Sequence, residues 1–179
     1  MSAIELSNPI AGVSGASAFA GVPSAGISKI QTLTTGGTIT ASATSGFKLT
    51  FDGQTTALIL WSATNATLVS NIDTALEALS NIGTGGVTTA VGTMTAGVGT
   101  ITITSAANLA ALNHSTFTVT SFLEGTVPTV AIAQTTAGVD ATFRGSAIGT
   151  TLRDSTNGKL YINTGTATSP SWVVVGTQT

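Results

Sequence analysis

Charge is almost missing from this chain, and that narrows what it can become. Five Lys or Arg, seven Asp or Glu, one His and no Cys are spread over 179 residues. Ordinary globular chains carry about a quarter charged residues. Thr fills much of the vacancy, at about a fifth of the sequence, with Ala, Gly and Ser. Thr is β-branched and stiff at χ1, so it suits a pleated surface better than a helix. The chain is therefore expected to be mainly β.

The same scarcity bears on function. A catalytic centre needs titratable groups held close enough to tune one another, and this composition can scarcely supply a cluster. The single His114 lies in a polar stretch before a strand-like run and reads as a surface side chain. Nucleic acid demands a basic patch. Lys29, Lys48, Arg144, Arg153 and Lys159 are scattered, and the net charge is -2. No run of about 18 apolar residues is present, and the N-terminus lacks the pattern of a signal peptide. No cofactor, metal, nucleic-acid or membrane partner is expected, and the absence of Cys leaves no disulfide framework. A structural or binding role follows.

Three sections are read along the chain. Residues 1–28 form an extended arm of Ala, Ser and Gly with isolated apolar residues, among them Ile4, Leu6, Ile10, Phe19 and Val22. The arm cannot bury enough surface to order itself alone. It is either a free terminus or a segment ordered on a neighbouring subunit, with those residues as pegs. Residues 29–136 read as a β-rich core domain. Phe47, Leu49 and Phe51 share one strand face, and Asp52-Gly53 marks a type I′ hairpin turn. The return strand, Thr55 to Trp61, has apolar residues on both sides and is expected to be covered on both faces.

One helix is expected, at about 65–82. Asn65 is its N-cap. Leu68, Ile72, Ala75, Leu76 and Leu79 form one face, and Gly83 ends it. Asp73 and Glu77 fall on a solvated side. Strands follow at 87–91, 100–104, 116–120 and 129–133. Gly36-Gly37, residues 92–99, Gly125 and Pro128 read as breaks. Residues 137–179 read as a small β-meander with an Asn157-Gly158 turn. Its apolar material includes Leu160, Tyr161, Ile162, Trp172 and Val174. About 40 residues supply too little core for an independent fold. The module must pack on the main domain or on copies of itself.

Two stretches resemble proteins of tailed-phage virions. Phe51-Asp-Gly-Gln-Thr-Thr-Ala57, with Thr74-Ala-Leu-Glu-Ala-Leu-Ser-Asn-Ile-Gly83 and Gly86-Val-Thr88, is similar to a domain recurring in such proteins. Asp154-Ser-Thr-Asn-Gly-Lys-Leu-Tyr-Ile-Asn-Thr-Gly165, with Ser169-Pro-Ser-Trp172, resembles a short β-module near the ends of fibre, spike and head-decoration proteins. The resemblance covers roughly half the chain. It implies a non-enzymatic structural protein on the outer capsid surface, a decoration (cement) or head-fibre protein, bound to the major capsid protein as a homotrimer. Ile4, Leu6, Ile10, Phe19 and Val22 are then candidate capsid contacts. Tyr161, Trp172 and Val174 are candidate oligomer contacts, because aromatic residues are enriched at interfaces. A tail, neck or fibre component and a carbohydrate-binding adhesion module stay open as alternatives.

Overall fold

A computed structural model describes residues 17–19 and 22–176. In chain order the elements are β1 (Ser17–Phe19), β2 (Ile30–Thr40), β3 (Gly46–Phe51), β4 (Gln54–Thr55), β5 (Ile59–Leu60), α1 (Asn65–Glu77), β6 (Val87–Thr95), β7 (Val98–Ser105), β8 (Thr118–Phe122), β9 (Glu124–Thr136), β10 (Thr151–Asp154), β11 (Leu160–Asn163) and β12 (Trp172–Val174). The protein is mainly β with one helix, and its sheets are antiparallel apart from the β1–β10 pair. Two compact units result. One is Ile27–Val139, and the other joins the described residues before it to those after it, through 176.

The larger unit holds two sheets. The first runs β6-β7-β2-β9, and the second places β4, β5 and β8 against β3. Alternation along β2 and β7 turns Leu33, Ile101 and Ile103 inward. Phe47, Leu49 and Phe51 do the same along β3, and α1 adds Leu68, Ile72 and Leu76. These side chains form one cluster. Each contributes about 1.5–3 kcal/mol on burial, so this unit has a core of its own. Ile27 and Val139 bridge each other where the chain enters and leaves it, with both N–H···O bonds at 2.9 Å.

Several expected breaks turn out to be bulges. β2 runs through Gly36-Gly37, with a register shift against β9 there. Gly37 has φ +80°, and a Cβ on it would lie 2.0 Å from the Val127 carbonyl oxygen. Only glycine fits. β9 likewise absorbs Gly125 and Pro128, with Val127 at φ +48°. The turn expected across 92–99 shrinks to Ala96-Gly97, both at positive φ, and residues 92–95 stay in β6. The expected Asp52-Gly53 turn is present, at φ 44° and 80° between paired Phe51 and Gln54.

The helix is shorter than expected, and its cap differs. Thr64 is the N-cap, without a side-chain bond to the helix. Asn65 does other work: its Nδ2 donates to the Met94 carbonyl at 3.1 Å, and its Oδ1 accepts from the Gly97 N–H at 2.9 Å. It ties the helix start to the β6–β7 turn. Regular helix ends at Glu77, and turns carry the chain to Gly83, whose N–H donates to the Leu79 carbonyl at 2.8 Å. Asp73 and Glu77 are not merely solvated. Asp73 accepts from Thr89 Oγ1 at 3.0 Å, and Glu77 accepts from the Gly85 N–H at 2.6 Å.

The smaller unit is a four-stranded sheet, β1-β10-β11-β12. Ser17–Phe19 of the expected arm lies parallel to β10, with Ser17 opposite Leu152 and Phe19 opposite Asp154. This stretch is thus paired within its own chain. Ser24 and Thr142 add backbone and side-chain bonds at 2.9 Å. The interior is largely polar. Asn163 is fully buried and uses all its bonding capacity. Its Nδ2 donates to the carbonyls of Ser146 and Ala147 at 2.8 and 3.2 Å, and its Oδ1 accepts from the N–H groups of Gly165 and Ser171, both at 2.9 Å. Asp154, also fully buried, caps the β10–β11 loop through the N–H groups of Thr156 and Asn157.

Candidate interaction surfaces

The single histidine is drawn inward. His114 is half-buried rather than a free loop side chain. Its Nδ1 faces the Ser115 carbonyl at 2.8 Å and its Nε2 faces Ser105 Oγ at 2.5 Å. Nδ1 therefore carries the proton, and Nε2 accepts from Ser105. The ring meets the edge of Phe51 at 5.2 Å between centroids. Burial holds the imidazole below its ordinary pKa, and the bond to Ser115 opposes that shift. Nearby Lys29 lowers it further, and Asp52 raises it. Lys29 is itself buried and donates to the His114 carbonyl, while Ser115 Oγ donates to Asp52. A Ser–His contact is the first requirement of a nucleophile and base, but Ser105 is only 5 % exposed. The group serves as a clamp that fastens the β7–β8 connection to β2 and the β3–β4 turn.

One stretch of the open surface is apolar. The expected return strand Thr55–Trp61 splits into β4 and β5, because Thr56 turns inward and its Oγ1 accepts from the Leu49 N–H. Ile59 and Trp61 face the core, as their alternation requires. The expected cover on the other side is missing: Leu60 is 41 % exposed. Two hollows share Leu58 there. One, of about 300 Å³, is lined by Thr44, Lys48, Leu58 and Phe122. The other, of about 350 Å³, runs from Ala57–Leu60 to Asn71, Thr74, Ala75 and Ala78 of the helical segment. Lys48 reaches over the Phe122 ring, its Nζ 5.9 Å from the centroid. It is the only titratable side chain in either lining among the described residues.

The smaller unit shows the same imbalance. Among its described residues Ala141, Leu152 and Tyr161 are buried and apolar, while Val22, Phe143, Ile148, Val173, Val174 and Val175 lie exposed. Of the expected oligomer contacts, Val174 stands at the surface, Trp172 is half-covered and Tyr161 is enclosed opposite Leu152. Trp172 Nε1 donates to the Thr142 carbonyl at 3.1 Å. Of the expected capsid contacts, Val22 is 69 % exposed. Phe19 lies in β1. Ile4, Leu6 and Ile10 fall outside the described residues.

The Leu58–Phe122 surface escaped sequence reasoning, although its signal was there. Apolar residues on both sides of 55–61 suggested double burial, and one side proved uncovered. The polar keystones Asp154 and Asn163 carried no signal beyond their place in a turn-rich run.

Among the described residues no group of three or more His, Cys, Asp or Glu could hold a metal ion. No helix there is long and apolar enough to cross a membrane. No family model matches the chain, and no curated protein matches it.

Proposed function

We propose that this chain is a non-enzymatic structural protein of a tailed-phage virion, a capsid decoration (cement) protein on the outer capsid surface. Its partners are the major capsid protein and further copies of itself in a homotrimer. The observation that carries this reading is the smaller unit, whose described residues expose six large apolar side chains and bury three apolar ones. A unit so built gains stability by sharing its apolar surface between copies. The resemblance of 154–165 and 169–172 to modules of head-decoration proteins supports the same reading. The Leu58–Phe122 surface offers an apolar patch with one cation, which suits a protein partner better than a reaction.

Two measurements test it. Native mass spectrometry of the purified protein should give a trimer, and Val174→Lys should shift it toward monomer. The protein should also co-sediment with heads assembled from the major capsid protein of the same genome, and Phe122→Lys should weaken that binding. A monomer that ignores heads but binds tails or a glycan array would overturn the proposal in favour of a tail or adhesion role.

A further inference from the structure

The β10–β11 hairpin carries a reactive pair that the proposed binding role does not use. Asn157-Gly158 is the one place in the sequence where Asn precedes Gly. Both residues are exposed in the loop between the strands. Gly158 has φ +68°, with no atom within 4 Å of where a Cβ would stand. Its N–H makes no hydrogen bond among the described residues. The adjacent side-chain amide is held at the other end of the loop: Asn157 Nδ2 donates to Asp154 Oδ2 at 2.6 Å.

We propose that Asn157 is a self-modifying site, converted by attack of the Gly158 nitrogen to aspartate or isoaspartate, and that conversion unlatches the β10–β11 hairpin. The Gly158 nitrogen loses its proton to solvent and bonds to the Asn157 side-chain carbonyl carbon. The bond from that carbon to Nδ2 breaks, and ammonia leaves. Water then opens the five-membered imide at either carbonyl. The net change is one water consumed and one ammonia released, with no oxidant, reductant or enzyme. Glycine favours the step because no Cβ obstructs the approach of its nitrogen, and Asn is a recognised labile residue.

The consequence follows from Asp154. That carboxylate is fully buried and accepts from Asn157 Nδ2 and from the N–H groups of Thr156 and Asn157. After conversion a second carboxylate stands where the donor stood. The new carboxylate has no N–H to give Asp154 and repels it, so the latch across the loop is lost. The same strand positions Leu152 opposite Tyr161, the main apolar pair of this unit. Conversion at one exposed residue thus reaches the unit's interior.

The test uses the intact protein held in mildly alkaline buffer and followed by peptide mapping. Residue 157 should convert ahead of the other seven asparagines, gaining about one mass unit. Conversion should quicken with pH. If residue 157 keeps its amide while the same protein in urea converts there fully, the native site is inert and the proposal fails. The second arm expresses Asn157→Asp directly. Hydrogen exchange at the Leu152 and Tyr161 amides should rise about tenfold. Exchange unchanged from wild type would refute the unlatching. Neither arm depends on what the protein binds.

Discussion

Removing the Asn163 amide should dismantle the smaller unit and leave the larger one folded. Asn163→Leu keeps the volume and deletes four hydrogen bonds at once. The carbonyls of Ser146 and Ala147 and the N–H groups of Gly165 and Ser171 lose their partner. An unsatisfied buried group costs about 1–3 kcal/mol. Ala147 and Ser171 are exposed enough to find water, while Ser146 and Gly165 are only part-exposed. Counting the latter pair in full and the former pair as nearly recovered gives a loss of about 2–6 kcal/mol. Whole domains are stable by about 5–15 kcal/mol, and among its described residues this unit buries only Ala141, Leu152 and Tyr161 of the large or aliphatic apolar kind. Hydrogen exchange should therefore show β10 and β11 losing protection while β3 and β7 keep theirs. Asn163→Asp supplies the control. It retains Oδ1 as an acceptor but aims a carboxylate at two carbonyls, so it should be at least as damaging. If either variant keeps β10–β11 protection within a factor of about three of wild type, less than 1 kcal/mol has been lost, and the polar keystone account is wrong.

Asn65→Ala should cost about 1–2 kcal/mol by releasing Met94 and Gly97; urea denaturation measures it, and a loss confined to helix capping would leave exchange at the β6–β7 turn unchanged. Gly37→Ala should cost at least about 2 kcal/mol, since φ +80° and the Val127 carbonyl both exclude a Cβ; a soluble variant with wild-type melting would contradict the bulge. Acid should weaken the larger unit through His114. Its folded pKa lies below the ordinary 6.5, so the unfolded chain binds the proton first. That contribution is complete above about pH 6.5, declines as pH falls toward the lowered value, and levels off below it. His114→Gln should flatten this part of a stability-against-pH curve, and an unaltered slope would assign the acid sensitivity elsewhere.

What was legible in the sequence is what local chemistry decides. The Asp52-Gly53 turn, the Phe47–Phe51 alternation and the Leu68–Leu76 helical face need only neighbours in sequence. The misread places depended on partners far along the chain. Gly36-Gly37 signals a break by itself, yet Val127 opposite makes it a bulge inside a long strand. Asn65 has the chemistry of a cap, but a turn some thirty residues away takes both ends of its amide. His114 seemed free because Ser105, Phe51 and Lys29 approach it only in the fold. The apolar character of Leu58 and Leu60 was legible and their open side was not, because alternation says which residues are apolar and not whether anything covers them.

The paired Ile27 and Val139 have a consequence for how this protein is made and could be remade. They bring the two ends of the larger unit side by side, which is the geometry of an inserted cassette. The smaller unit is the host, split into a leading and a trailing segment. During synthesis its leading strand must wait for Leu152 and Asp154 before it can pair, while the cassette already has all its residues. A short linker in place of residues 28–138 would preserve the order of the host strands and remove the delay. The host sheet, assembled with copies of itself, would then be a frame into which other cassettes with adjoining ends could be placed.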